Sequence, residues 1–154
     1  WVGAFLGIFA VGFLGHLVHL EQQDILFLIG SFGASAVLLY GTPGVPLAQP
    51  RNLMGGHILS ALTGVLMYGW IADPLYLSGA LSVATAIAVM HLTKTTHPPG
   101  GATALIAVIG SERVHQLGFL YVLSPVALGA LIMLVVALIV NNLTSFRRYP
   151  VFWW

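Results

Sequence analysis

The feature that most constrains this chain is a backbone break, the stretch Thr95 to Ala104 (TTHPPGGATA), which lies between long apolar runs. Two prolines and two glycines interrupt a sequence that otherwise reads as nearly continuous membrane-spanning helix. In lipid, a broken backbone leaves N–H and C=O groups that only protein, water or a bound solute can satisfy. The break also contains an ionisable residue, His97. It therefore predicts a functional site.

The composition indicates whether the chain lies in water or in a membrane. Hydrophobic residues make up 58% and charged residues 6%, and the mean hydropathy is +0.97. These values exclude an ordinary soluble domain. The absence of cysteine excludes disulfides, thiolate metal sites and a cysteine nucleophile. Because the net charge is +1 and no basic cluster occurs, we expect the lipid bilayer, and no nucleic acid, as a partner.

The start of the chain is already apolar. Trp1 lies inside the first hydrophobic run with no basic segment before it, which is not the pattern of a signal peptide. We therefore expect the natural protein to extend beyond this residue.

Six uncharged apolar runs predict an all-α polytopic membrane protein. They are residues 1–20, 25–41, 53–71, 75–92, 100–110 and 117–143. The fifth run would extend roughly 16 Å as helix, half of a hydrocarbon core of about 30 Å. Since residues before proline avoid the helical region, Thr95–Pro99 is expected to be extended and to add roughly 16 Å. The extended segment and the half-length helix would then cross the membrane together. The alternative is a re-entrant loop.

A short internal match favours two repeated units. Gly33–Val37 (GASAV) matches Gly101–Leu105 (GATAL), and each lies in the second of three apolar runs. We therefore predict one transmembrane domain, 1–154, made of two three-segment repeats that are inverted relative to each other. They cover about 1–72 and 73–143, with a broken, half-helical second segment in each and a basic, aromatic tail at 144–154. The alternative has four full spans and two re-entrant segments.

Charge distribution separates these topologies. Six crossings place Arg51, Lys94, Arg147 and Arg148 on one face, and Glu21, Asp24, Asp73, Glu112 and Arg113 on the other. The re-entrant alternative divides the basic residues between both faces. Since positive charge collects on the cytoplasmic side, we favour six crossings with both termini inside.

The helix that starts at the break predicts an anion site. A helix N-terminus offers free N–H groups and a positive dipole end. We expect the binding groups to be the backbone at Gly100, Gly101 and Ala102, the hydroxyls of Thr96 and Thr103, and, from the first repeat, Ser31, Gly33 and Ser35. The alternative is that both glycine-rich runs are close-packing helix faces.

Four further side chains join the expected substrate-binding set. His97 would hold an anion as a cation, donate a neutral N–H or shuttle a proton; its alternative role is to cap carbonyls freed by the prolines. His57, after Gly55–Gly56, approaches the same pocket or packs between helices. Arg51, with Asn52, would grip an oxyanion or serve only as a positive-inside charge.

Other polar and small residues carry weaker signals. His16 and His19 have a metal-like spacing, but a solvated helix face is favoured there. We expect no metal site, cofactor or catalytic residue, and hence no enzyme. Gly3 and Gly7, and the stripe Ala80, Ala84 and Ala88, predict close helix contacts within or between protomers. Contacts between protomers would make the protein a homo-oligomer.

Several motifs together resemble the HPP family of integral membrane proteins. They are Thr96–Ala102 (THPPGGA), Gly30–Ala36 (GSFGASA), Gln49–Asn52 with Gly55–His57, and Asn141–Leu143 leading to Arg147–Pro150. The resemblance implies transport of a small anion, nitrite, across a bacterial inner membrane or a chloroplast envelope. It also implies four transmembrane helices, by the usual description of the family. The alternatives are a membrane sensor or scaffold, since some relatives carry a soluble regulatory domain, and a histidine-based, metal-dependent membrane enzyme.

Overall fold

A computed structural model describes all 154 residues, which form seven α-helices and no strand. The helices are α1 (Val2–Leu17), α2 (Gln22–Ala36), α3 (Pro50–Trp70), α4 (Leu75–Leu92), α5 (Pro99–Ile109), α6 (Glu112–Leu117) and α7 (Leu128–Asn141). Each predicted apolar run overlaps one of the helices α1 to α5 and α7, and α6 is a short additional helix where the fifth and sixth runs meet. The all-α prediction is therefore confirmed.

Irregular turns extend two of these helices. A π-helical turn, Val37–Gly41, continues α2, and another, Val122–Ala127, leads into α7. Ser124, before a proline, is extended inside the second turn. A short 3₁₀ turn, Pro46–Ala48, precedes α3.

Proline positions explain where two helices begin. Pro50 and Pro99 occupy the first positions of α3 and α5, where the missing N–H would be unpaired in any residue. The predicted start of a half-length helix at the break is thus confirmed.

Three helical stretches are long and apolar enough to cross a membrane. They are Gln22–Gly41, Leu75–Leu92 and Val122–Val140, while α1 and α5 are apolar but shorter. Large hydrophobic side chains such as Phe9, Leu92 and Leu123 are more than half exposed. This outward apolar surface suits a lipid environment.

Contacts along the bundle define the helix directions. Gly15 of α1 lies beside Ile25 at the start of α2, and Gly3 lies beside Tyr40 at its end. The start of α3 bonds the end of α4, from Arg51 to the Thr93 carbonyl. By such contacts α1, α3 and α5 run one way, and α2, α4 and α7 run the other.

Helices α3 and α5 pack closely and in parallel. A Cβ added at Gly64 would lie 2.4 Å from the Ala104 carbonyl oxygen and 2.8 Å from the Ala107 Cβ. Only glycine permits this approach of the two backbones. Gly3 and Gly7 pack within the chain, against Tyr40, whereas the stripe Ala80, Ala84 and Ala88 is exposed.

The predicted break in the second segment is absent. Helix α2 runs through Gly30 and Gly33 without interruption and continues to Gly41. A glycine inside a helix costs only about 1 kcal/mol, and residues 25–41 contain no proline. Ser31, Gly33 and Ser35 therefore lie within a helix and not at a helix N-terminus.

The C-terminal tail folds back on the bundle. The Tyr149 hydroxyl donates to the Ala48 carbonyl at 2.8 Å, and the Val151 N–H donates to Gln49 Oε1 at 2.9 Å. Burial, with a further contribution from Tyr40, raises the pKa of Tyr149. The tail thereby holds the loop that precedes α3.

Candidate functional site

The segment 95–98 is held by one hydrogen bond to α3 and one to the 3₁₀ turn that precedes α3. Asn52 Nδ2 donates to the Thr96 carbonyl at 2.8 Å, and His97 Nδ1 donates to the Leu47 carbonyl at 2.8 Å. A Cβ at Gly56 would lie 2.4 Å from the His97 Cβ, so the absence of a side chain lets the break press against the helix. These contacts aim the His97 ring into the bundle.

Two histidines meet on one serine at the centre of the protein. Ser35 Oγ lies 2.8 Å from His57 Nε2 and 2.9 Å from His97 Nε2. The two rings are tilted, with centroids 4.9 Å apart, and Phe32 stacks on His57 at 4.4 Å. The structure thus brings together residues from α2, α3 and the break.

Hydroxyl groups extend this arrangement towards α5. His57 Nδ1 lies 2.7 Å from Thr103 Oγ1, and Thr103 Oγ1 lies 2.9 Å from Ser31 Oγ. Ser31 Oγ also donates to the Pro99 carbonyl at 2.9 Å. We call Ser31, Ser35, His57, His97 and Thr103 the central cluster.

The central cluster is enclosed. Ser35, His57, His97 and Thr103 are 0% exposed, and Ser31 is 2% exposed. Its side chains bond mainly to one another. Only a conformational change could bring a solute to them.

Other residues of the expected site lie elsewhere. Gly101, Ala102 and Thr96 line an outer groove of about 460 Å³ between α4 and α5. Gly33 lines a separate groove beside Trp1. The N–H of Gly100 donates to the His97 carbonyl at 2.8 Å, and that of Gly101 to the Pro98 carbonyl at 3.1 Å. These two N–H groups are thus already engaged in tight turns.

Arg51 belongs to a cavity of about 470 Å³ at one end of the bundle. The cavity is lined by Pro50, Arg51, Met54, Gly55, Thr93, Thr95, Leu134, Trp153 and Trp154. Arg51 is the one charged residue in this lining, and its guanidinium donates to the Thr93 carbonyl at 2.7 Å. The cavity therefore has a positive electrostatic character.

Sequence reasoning missed two partners of the site and one buried carboxylate elsewhere in the bundle. The Leu47 carbonyl, which accepts from His97, lies in the 3₁₀ turn before α3, where the sequence has no periodic signal. The Tyr121 hydroxyl donates to the Thr103 carbonyl at 3.1 Å. Asp24, expected in a polar connection, is buried in the first turn of α2 and accepts from the Ser111 N–H at 2.9 Å. Its signal was a carboxylate placed where a helix begins.

The groups that the central cluster could offer to a metal ion are hydroxyls and imidazoles. No group of three or more His, Cys, Asp or Glu side chains is arranged to hold a metal ion. His16 and His19 are both exposed.

An all-helical chain with long apolar helices around a buried polar centre is a polytopic integral membrane protein. More particularly, the chain belongs to the HPP family, because the model of the HPP transmembrane region matches residues 1–150. Two similar proteins of Dictyostelium discoideum, both described as transmembrane proteins, are 50% and 44% identical over the whole chain. The chain spans about half the length of these curated relatives, 50% and 54% respectively. No solved structure matches.

Proposed function

We propose that this protein transports a small inorganic anion, nitrite, across a membrane, with the central cluster as the binding site. The observation that carries the proposal is the pair His57 and His97 joined by Ser35, fully buried where the chain is broken. Ionisable residues inside a membrane are costly and mark solute pathways. The nitrite assignment rests on the family resemblance.

The cavity at Arg51 supports an entry route for the anion. Its arginine attracts negative charge, and Gly55 and Thr95 line it. A Cβ added at Gly55 would lie 2.5 Å from the Thr95 side chain, and one added at the next residue, Gly56, would lie 2.4 Å from the Cβ of His97. The cavity lining is thus adjacent in sequence to residues that contact the cluster. Movement of the segment 95–98 away from α3 would open the cluster to this cavity.

The membrane topology belongs to the same proposal. We infer six crossings, as two inverted units of three segments. The helix directions support it, since the path from Thr93 to Ser111 runs from the Arg51 end of the bundle to the Asp24 end. Arg147 donates to the Tyr40 carbonyl and so lies at the Arg51 end. We place that end in the cytoplasm of a bacterium, or on the equivalent side of an organelle envelope.

Cysteine accessibility tests the topology. Lys94 and Glu112 are exposed, and the chain contains no native cysteine. We expect Lys94→Cys and Glu112→Cys to react with a membrane-impermeant maleimide from opposite sides of oriented vesicles. Labelling of both from the same side would contradict six crossings and support re-entrant segments.

Nitrite uptake by proteoliposomes tests the function. We expect saturable, protein-dependent uptake that competing small anions reduce. Because neutral nitrous acid crosses lipid unaided, the assay is run at alkaline pH, with protein-free vesicles as the control. Uptake no faster than in those vesicles, by folded protein, would contradict transport and favour a sensor or scaffold.

A further inference from the structure

The central cluster is a continuous chain of hydrogen bonds with a backbone carbonyl at each end. In order, the chain is the Leu47 carbonyl, His97, Ser35, His57, Thr103, Ser31 and the Pro99 carbonyl, joined by six contacts of 2.7–2.9 Å. A carbonyl oxygen only accepts hydrogen bonds. Both ends of the chain therefore require a hydrogen that points outwards.

A count of hydrogens shows what this arrangement lacks. A neutral imidazole carries one N–H, and each hydroxyl carries one O–H. Two histidines, two serines and one threonine thus supply five hydrogens for the six contacts. In the neutral chain one contact must lack a hydrogen, so two lone pairs face each other there. One added proton fills every contact.

The added proton can lie on either histidine and fill all six contacts. On His97, the ring donates to the Leu47 carbonyl and to Ser35, and Ser35 donates to His57 Nε2. On His57, the ring donates to Thr103 and Ser35, and Ser35 donates to His97 Nε2. Transfer breaks one N–H bond, forms one N–H bond and exchanges the hydrogen of Ser35, which stays neutral throughout.

We propose that the central cluster is a proton-binding site, which holds one exchangeable proton shared by His57 and His97 through Ser35. We further propose that this proton crosses the membrane together with the anion, a step that rests on the proposed function. The proton site itself does not.

The surroundings of the cluster contain no opposite charge to balance the proton. Tyr121 is the one other titratable side chain that bonds to a cluster residue, through the Thr103 carbonyl. On α2, Asp24 is bonded to Ser111. On α3, Arg51 is bonded to the Thr93 carbonyl. Lys94, just before the break, is exposed. The loop 42–49, α5 and α7 carry no charged residue.

This electrostatic setting couples the proton to an anion. A buried positive charge without a partner is costly in a membrane, and a bound anion offsets that cost. By thermodynamic reciprocity, each ligand must then strengthen the binding of the other by the same factor. With a nitrite ion beside the protonated cluster, the proton and the anion together would carry no net charge.

Nitrogen NMR of ¹⁵N-imidazole-labelled protein in lipid tests the proton site directly. Signals are assigned with His57→Gln and His97→Gln, and the exposed His16 and His91 serve as internal references. On acidification we expect the pair to take up one proton, with both rings responding together. Added nitrite should move this uptake to higher pH. In Ser35→Ala the two rings should respond separately, whereas Ser78→Ala, another fully buried serine, should behave as the parent protein.

Two NMR results would overturn the proton site. One is independent protonation of each ring, unaffected by Ser35→Ala. The other is the absence of protonation throughout the pH range in which the protein stays folded.

A transport measurement separates this inference from the proposed function. Nitrite uptake is compared with and without a pH gradient at a fixed membrane potential, after subtraction of the uptake by protein-free vesicles under the same gradient. An inward proton gradient should accelerate the remaining, protein-dependent uptake. Uptake that is independent of the pH gradient would contradict proton coupling but not anion transport. Absence of nitrite flux would overturn the proposed function, while the NMR titration would still decide whether the proton site exists.

Discussion

Replacing His97 with alanine is expected to lower the initial rate of nitrite uptake by about two orders of magnitude. The ring donates to the Leu47 carbonyl at 2.8 Å and contacts Ser35 at 2.9 Å. Hydrogen bonds to a charged ligand that contribute about 3 kcal/mol correspond to a roughly 100-fold difference in binding affinity. The measurement is uptake by proteoliposomes, normalised to the amount of folded protein.

His91 provides the matched control for this substitution. It is exposed near the end of α4, and its ring bonds only the Ile87 carbonyl of the same helix. His91→Ala should therefore transport nitrite at the rate of the parent protein. Equal uptake by the two alanine variants would remove His97 from the transport site.

Gly64→Ala is expected to give the largest loss of stability among single-methyl additions in α3. The new Cβ would lie 2.4 Å from the Ala104 carbonyl oxygen and 3.0 Å from the Ala104 Cα. Since both atoms are backbone, α3 and α5 must separate to admit the methyl group. Overpacking of this kind costs about 1–3 kcal/mol, and the expected change is at the upper end. Reversible unfolding of the protein in detergent would measure it.

Gly69→Ala is the corresponding control, on the same helix. Nothing lies within 4 Å of a Cβ at this position, and the residue is exposed. Since alanine favours helix over glycine by about 1 kcal/mol, Gly69→Ala should be neutral or slightly stabilising. A similar loss of stability in both variants would mean that α3 and α5 do not pack as described.

The bundle could be predicted largely from local signals. Runs of apolar residues define the helices, and two successive prolines define where α5 begins, because proline tolerates only the first turn of a helix. The mistake at Gly33 has a local cause as well. Similarity to the run at Gly101 predicts a break at Gly33, but the Gly33 run lacks the prolines that interrupt the later segment.

The central cluster could be predicted only in part. His97, His57, Ser35, Ser31 and Thr103 were each expected to line the site, and they lie together. Their direct bonding to one another depends on the rotation of α2, which places Ser31 and Ser35 inwards and Gly33 outwards. That rotation follows from tertiary packing, such as Phe32 on His57, and not from a pattern in the sequence. The partner carbonyl of Leu47 likewise has no signature in its side chain.

Paired uptake measurements on two buried serines test most directly whether the cluster is the transport site. Ser35 and Ser78 are both 0% exposed, but Ser35 links the two histidines whereas Ser78 Oγ has no hydrogen-bond partner. Both changes to alanine remove one oxygen atom from the interior. Ser35→Ala should lose nearly all nitrite uptake, and Ser78→Ala should retain it. Equal uptake by the two folded variants would contradict a transport site at His57, Ser35 and His97.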